Sequence, residues 1–220
     1  MALKLLIFDF DGVLADTAQL HLKSEQEIFA TVGLKISKGE LAGFFGMKVS
    51  EFIKEVLKKY KIKADWKKLM QKKYKVLKEL VKEKGIQPLP GAKDLALKAK
   101  KSGIKIAVAS GSRKKFVLPL LKKMGLQKTF DLVLCADDVK KGKPNPEIFL
   151  KCAKRLKVKP SECLVLEDAE NGVVAAKRAG MKAIALKTSY SGKQDFSNAD
   201  KIVKSLQEID IVAVEKWFAF

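Results

Sequence analysis

Two aspartates separated by one residue, Asp9 and Asp11, follow directly on the apolar run Leu3–Phe8. In an extended segment that spacing puts both carboxylates on one side. Like charges so close require a cation or a shared proton. Three further sets stand just after apolar runs or on the loops that follow them: Ser110-Gly111-Ser112, then Asp137-Asp138 leading to Lys143-Pro144, and Glu167-Asp168. Adding Asp168, with Glu167, to the aspartate pair makes an all-oxygen set of high negative charge, which suits Mg2+ and not a soft transition metal. A hydroxyl at Ser110 and an ammonium at Lys143 add nothing to holding that ion, yet both suit the oxygens of a phosphoryl group. Phosphoryl transfer is the reaction the set fits. Taken singly, an Asp-x-Asp can close a turn, Ser110 or Ser112 can cap a helix, and Glu167-Asp168 can favour a helix start. Four such sets after successive strands favour a joint function.

These residues need elements that bring them to one edge. Leu3–Phe8, Ile104–Ala109, Leu132–Cys135, Cys163–Leu166 and Ala183–Leu186 are short apolar runs bounded by charge or turn residues, as expected of strands covered on both faces. Helical patterns at about 92–102, 114–124, 146–156 and 170–179 lie between them, several closed by a glycine, Gly103, Gly125 or Gly180. The alternation predicts an α/β fold with a doubly wound, Rossmann-like parallel sheet. Ligands then collect at the carboxyl ends of the strands, where the acids, hydroxyls and lysine stand. Residues 16–87 break the rhythm with four helical patterns in succession, at about 17–32, 38–44, 50–60 and 65–84. We read them as a helical domain inserted into a core made of 1–15 and 88–220. Pro88 and Pro90 make the return link stiff, and two short links permit a hinge.

The chain has 220 residues and a formal charge of +20, from 45 Lys+Arg against 25 Asp+Glu. Its composition excludes disorder and low-complexity classes. Every apolar run is too short to span a bilayer, and aspartates follow the amino-terminal apolar stretch where a signal peptide would have an uncharged cleavage region. Three widely spaced cysteines, Cys135, Cys152 and Cys163, argue against a disulfide framework or a zinc site, so the expected compartment is cytoplasmic. Only three of the basic residues are arginine, and the densest stretch, 51–87, places 13 Lys and 5 acids around apolar positions at helical spacing. Solvated lysine faces explain the charge best, with steering of anionic small molecules next and a nucleic-acid surface last.

Phe8-Asp9-Phe10-Asp11-Gly12-Val13-Leu14-Ala15-Asp16-Thr17, Ala109-Ser110-Gly111-Ser112, Lys143-Pro144-Asn145-Pro146-Glu147 and Leu166-Glu167-Asp168-Ala169 resemble, in order, the four motifs of the haloacid dehalogenase superfamily. The likeness is to its β-phosphoglucomutase-like branch with a helical cap, and it spans almost the whole chain. The resemblance implies Asp9 as nucleophile, forming an aspartyl-phosphate, and Asp11 as general acid and base. It implies Mg2+ held by Asp9, the Asp11 carbonyl and Asp168 with help from Glu167. Ser110 would bind the transferring phosphoryl group and Lys143 would offset its charge. The aspartate at position 11 departs from the dehalogenases and phosphonatases of the superfamily.

The resemblance leaves a phosphatase and a phosphosugar mutase as the two readings. Asp16, Thr17 and His21 fit the mutase pattern, but Gly46-Met47-Lys48-Val49 lacks the cap arginine of mutases, and Lys114 stands where they have asparagine. The expectation is a Mg2+-dependent phosphatase acting on a small phosphorylated metabolite, a sugar phosphate foremost. Gly111, Ser112, Thr17 and His21 are the candidate substrate contacts, and Lys48 or Lys73 could hold a second phosphate as a point charge. The protein is expected to be a monomer or weak dimer. Trp66, Trp217 and Phe218-Ala219-Phe220 are read as packing residues or a partner contact.

Overall fold

The computed structural model describes residues 2–189, 191–192 and 194–218; Ala219 and Phe220 of the terminal aromatic segment lie outside them. The strands are β1 (Leu5–Phe8), β2 (Lys105–Ala109), β3 (Leu132–Leu134), β4 (Cys163–Glu167), β5 (Lys182–Leu186) and β6 (Lys201–Val203). All their pairings are parallel, in the order β3-β2-β1-β4-β5-β6. Side chains alternate across the sheet as the pleat requires. Leu6, Phe8, Ile106, Val108, Leu164 and Leu166 face one core, while Leu5, Ile7, Ala107, Ala109, Cys163 and Val165 face the other.

Helices cover both faces. The first core receives α5 (Ala92–Lys101), α6 (Lys114–Lys123) and α9 (Ile211–Phe218), and the second receives α7 (Glu147–Leu156) and α8 (Glu170–Arg178). Burial on both sides is why the central strands read as continuous apolar runs. Strand β6 and helix α9 were not foreseen. Trp217 packs against the first core. Gly103, Gly125 and Gly180 follow their helices with φ of 78°, 69° and 73°, as helix-ending glycines do.

Between β1 and β2 lie α1 (Ala18–Ala30), α2 (Lys38–Ala42), α3 (Val49–Lys59) and α4 (Trp66–Lys84). They enclose an apolar cluster of their own, including Ile28, Phe29, Leu41, Phe52, Ile53 and Val56, with Trp66 packed against it. Leu77, Leu80 and Val81 of α4 instead join the first sheet core. The two links run side by side: Leu89 N–H donates to the Leu14 carbonyl at 3.0 Å, and Ala15 and Pro88 form an antiparallel bridge. Among the described residues no helix is long and apolar enough to cross a membrane. The three cysteines are free and buried, and burial pushes each thiol up to about 12, which keeps it protonated.

Candidate active site

The strand order reverses direction between β1 and β4, the place where doubly wound sheets open a crevice at their carboxyl edge. The register pairs Phe8 with Leu166 and with Val108, so the next residues, Asp9, Glu167 and Ala109, emerge together. Asp9 N–H donates to the Leu166 carbonyl at 2.9 Å. Asp9, Glu167 and Asp168 are all buried, and they offer carboxylate oxygens within 4.8 Å of one another. Close packing of the loops makes this possible. A Cβ on Gly12, whose φ is +79°, would lie 1.9 Å from Asp168 Oδ2, and one on Gly172 would lie 2.0 Å from Glu167 Cδ.

Lys143 reaches the cluster from the loop before α7. Its buried ammonium donates to Asp9 Oδ1 at 2.5 Å, to the Ala109 carbonyl at 3.0 Å and to Glu167 Oε1. Burial works against this charge, but Asp9 and Glu167 outweigh it and hold the Lys143 proton above the ordinary lysine range. One ammonium does not balance three carboxylates. Burial, followed by the repulsion of Asp9, Glu167 and Asp11, holds Asp168 well above the usual carboxylate range. Asp9 is raised too, by burial first, against the pull of Lys143. The donor set is all oxygen, buried and short of positive charge, so it fits a hard divalent cation such as Mg2+.

Asp11 is set apart from this cluster. Its Oδ1 accepts from Thr17 Oγ1 at 2.7 Å and meets His21 Nε2 at 3.0 Å, while Oδ2 accepts from Ser112 Oγ at 2.7 Å and Ser110 Oγ at 3.3 Å. Burial would raise its carboxyl, but His21, Thr17 and Ser112 outweigh that and hold it far below the usual range. The carboxylate expected beside the cation is therefore turned to the helices and serines. Lys73 is donor-only, and its Nζ lies 3.1 Å from His21 Nδ1. Nδ1 must then accept, which leaves the ring proton on Nε2 as the donor to Asp11.

A cavity joins the sheet edge to the helices. Asp9, Asp11, Asp168, Gly111 and Ser112 form its sheet side, and His21, Glu25, Phe44, Phe52 and Lys73 are among its helical lining. Of the expected substrate contacts, Gly111, Ser112, His21 and Lys73 line this cavity, and Thr17 touches it through Asp11. Lys48 does not. It stands at the N-cap of α3, and its ammonium donates to the Val139 carbonyl at 2.9 Å. Asp137 and Asp138 also stay outside the acidic cluster, bonded to Arg113, Lys114 and the Cys135 N–H. Lys114 is thereby tied down as well. Glu25 was missed, although it falls four residues after His21 at an apolar position of α1, and a charge in such a place is a readable signal.

A parallel sheet in this order, with acids, serines and a lysine gathered at its switch point, is the frame of an α/β enzyme. Residues 6–186 match the haloacid dehalogenase-like hydrolases, and the chain belongs to that family. It is similar to the Bacillus subtilis protein named "Putative phosphatase YhcW", with 38% identity over 95% of this chain and 94% of that protein. A phosphorylated carbohydrates phosphatase of Thermotoga maritima is 33% identical over 81% of this chain and 82% of its own length. Among solved structures, a β-phosphoglucomutase from Clostridium difficile superposes with a TM-score of 0.87 at 27% identity, covering 100% of this chain and 98% of its own.

Proposed function

We propose that this protein is a phosphoric monoester hydrolase, a Mg2+-dependent phosphatase of small phosphorylated metabolites, sugar phosphates foremost. The observation that carries the reading is the placement of Asp9 on the cavity floor, with Lys143 on one oxygen and Glu167 and Asp168 beside it. In this reading residues 16–87 are a cap domain that closes over a core of 1–15 and 88–220. The free, buried thiols fit a cytoplasmic protein.

Asp9, Asp168 and the Asp11 carbonyl would hold Mg2+ with help from Glu167, and the ion would supply charge neutralisation between an anionic nucleophile and an anionic ester. Asp9 attacks phosphorus, and the leaving oxygen departs as an aspartyl-phosphate forms on Asp9. Lys143 offsets charge on the nucleophile and on the equatorial oxygens, and Ser110 with the Gly111-Ser112 backbone orients them. Asp11, held as a carboxylate, is ready to take a proton from the water that hydrolyses the aspartyl-phosphate. To protonate the leaving oxygen in the first half-reaction, Asp11 must first give up its His21 and Ser112 contacts and take a proton from solvent, and passing that proton on returns it to the carboxylate. Substrate entering the cavity provides the occasion for that change.

Likeness to the β-phosphoglucomutase favours a mutase as the second reading. Incubating the protein with Mg2+ and a panel of sugar phosphates separates the two: inorganic phosphate release supports the phosphatase, and isomerisation without release supports the mutase. Asp9→Asn is expected to lower turnover by about 10³-fold or more with the fold retained. Undiminished turnover in that variant overturns the mechanism.

A further inference from the structure

The chemistry at the strand edge makes no use of Glu25. This residue lies on the face of α1 that buries Ala18, Leu22, Ile28 and Phe29, so a carboxylate occupies a place that helical spacing assigns to an apolar side chain. Its side chain is only 7% exposed, and Oε1 takes the Lys73 ammonium at 2.7 Å. Oε2 is different: among the described residues it is the only buried side-chain oxygen or nitrogen without a hydrogen-bond partner. Buried polar atoms are nearly always partnered, and Glu25 lines the same cavity as Asp9 and Asp168. Oε2 has almost no exposed surface of its own, so a group that enters the cavity would partner it once the Glu25 side chain turns towards that group.

The chemistry of the pair says what fits. Lys73 is 1% exposed and directs its ammonium to Glu25 and to His21 Nδ1, which leaves one N–H unassigned. Glu25 and Lys73 together present one spare acceptor and one spare donor with no net charge. A lone ammonium suits a phosphate, but a phosphate placed here would meet the Glu25 carboxylate as well. A hydroxyl gives one proton and accepts one, and so satisfies both partners. Leu41, Phe44 and Phe52 line the same cavity and offer apolar surface to the C–H groups of a sugar.

Resting on the phosphatase reading above, we propose that Glu25 Oε2, with Lys73, recognises a hydroxyl on a neutral polyhydroxy leaving group, so that the cavity selects sugar monophosphates over esters carrying a second phosphate. The test uses the whole protein with Mg2+. The substrates are a panel of three- to six-carbon sugar monophosphates, the matching bisphosphates, deoxy analogues of the best substrate, and phenyl phosphate, which has no sugar hydroxyl. The wild type is expected to prefer the best monophosphate to its bisphosphate by about tenfold or more in kcat/KM. Glu25→Gln is expected to lower kcat/KM on that monophosphate by about 10- to 100-fold, while phenyl phosphate changes by less than about threefold. One deoxy analogue should show the same loss in the wild type and no further loss in the variant.

An equal loss on every ester would reduce Glu25 to a support for Lys73 and overturn the proposal, as would a wild type that prefers bisphosphates. Calorimetric titration of Asp9→Asn with the monophosphate and its deoxy analogue reads the recognition without turnover and without altering Glu25. A gap of about tenfold in affinity supports the proposal, and equal affinities refute it. A wild type that releases phosphate from none of the esters refutes the phosphatase reading itself, and the titration, run then with the panel monophosphates and their deoxy analogues, still decides the role of Glu25.

Discussion

At the carboxyl edge of the sheet three buried carboxylates face one ammonium, whereas on the wall built by α1 and α4 one buried carboxylate faces one ammonium. The two sites use the same residue types at similar burial and differ in their balance of charge. The sheet edge lacks a positive charge and is suited to collecting a cation and the phosphoryl group that follows it. The helical wall is already neutral and lacks only a hydrogen bond. In the function proposed above, charge that is left over defines the reaction, and hydrogen-bonding capacity that is left over defines the molecule that undergoes it.

This contrast can be broken most forcefully at Lys143. Lys143→Ala leaves Asp9 and Glu167 buried without their counter-charge, and it should cost about 3–5 kcal/mol of stability in urea unfolding without metal. Added Mg2+ should restore part of that loss. A variant as stable as the wild type would mean that the edge is not short of positive charge. At the wall, Lys73→Met alone should cost about 3 kcal/mol, because it strands Glu25, while Glu25→Leu with Lys73→Met should cost much less. Equal costs for the single and double variants would show that the pair is not self-neutralising.

The smallest effect sharpens the comparison from outside both sites. At Glu147 desolvation is outweighed by its hydrogen bonds. The Lys151 ammonium and the Lys141 and Lys140 N–H groups bring its carboxyl down from 4.5 to about 2, whereas burial drives Asp9 and Asp168 up. A carboxyl lowered by folding favours the fold when ionised. Its contribution is complete above pH 4.5 and disappears as pH falls towards 2. Glu147→Gln should therefore lower the urea midpoint slightly near neutrality and flatten its dependence on pH in that window.

The central sheet was legible in the sequence because strands covered on both faces leave continuous apolar runs, and Asp9 and Glu167 stand just beyond such runs, with Lys143 on the loop after another. Strand β6 was not, since it has three residues at the sheet edge and Ile202 is 49% exposed, so it has no apolar run to read. Helix α9 follows it near the end of the chain without strand alternation to announce it. The four inserted helices were readable from their periodicity, but the direction of each side chain was not. Lys48 and Lys73 look alike in sequence. One turns to the Val139 carbonyl and the other is buried at the cavity. Lys73 and Glu25 did carry a signal, because both interrupt the apolar face of their helix, at α4 between Leu69 and Leu77 and at α1 between Leu22 and Ile28. A charge at a core position on each of two packed helices is a better marker of a cavity than a charge count.

The central claim is that Asp9 carries the phosphoryl group. Acid quenching during turnover of a sugar monophosphate with Mg2+, followed by proteolysis and mass spectrometry, should find the mass of one phosphoryl group on Asp9 and on no other residue. Turnover with Asp9 unmodified and the phosphoryl group attached elsewhere would contradict the account.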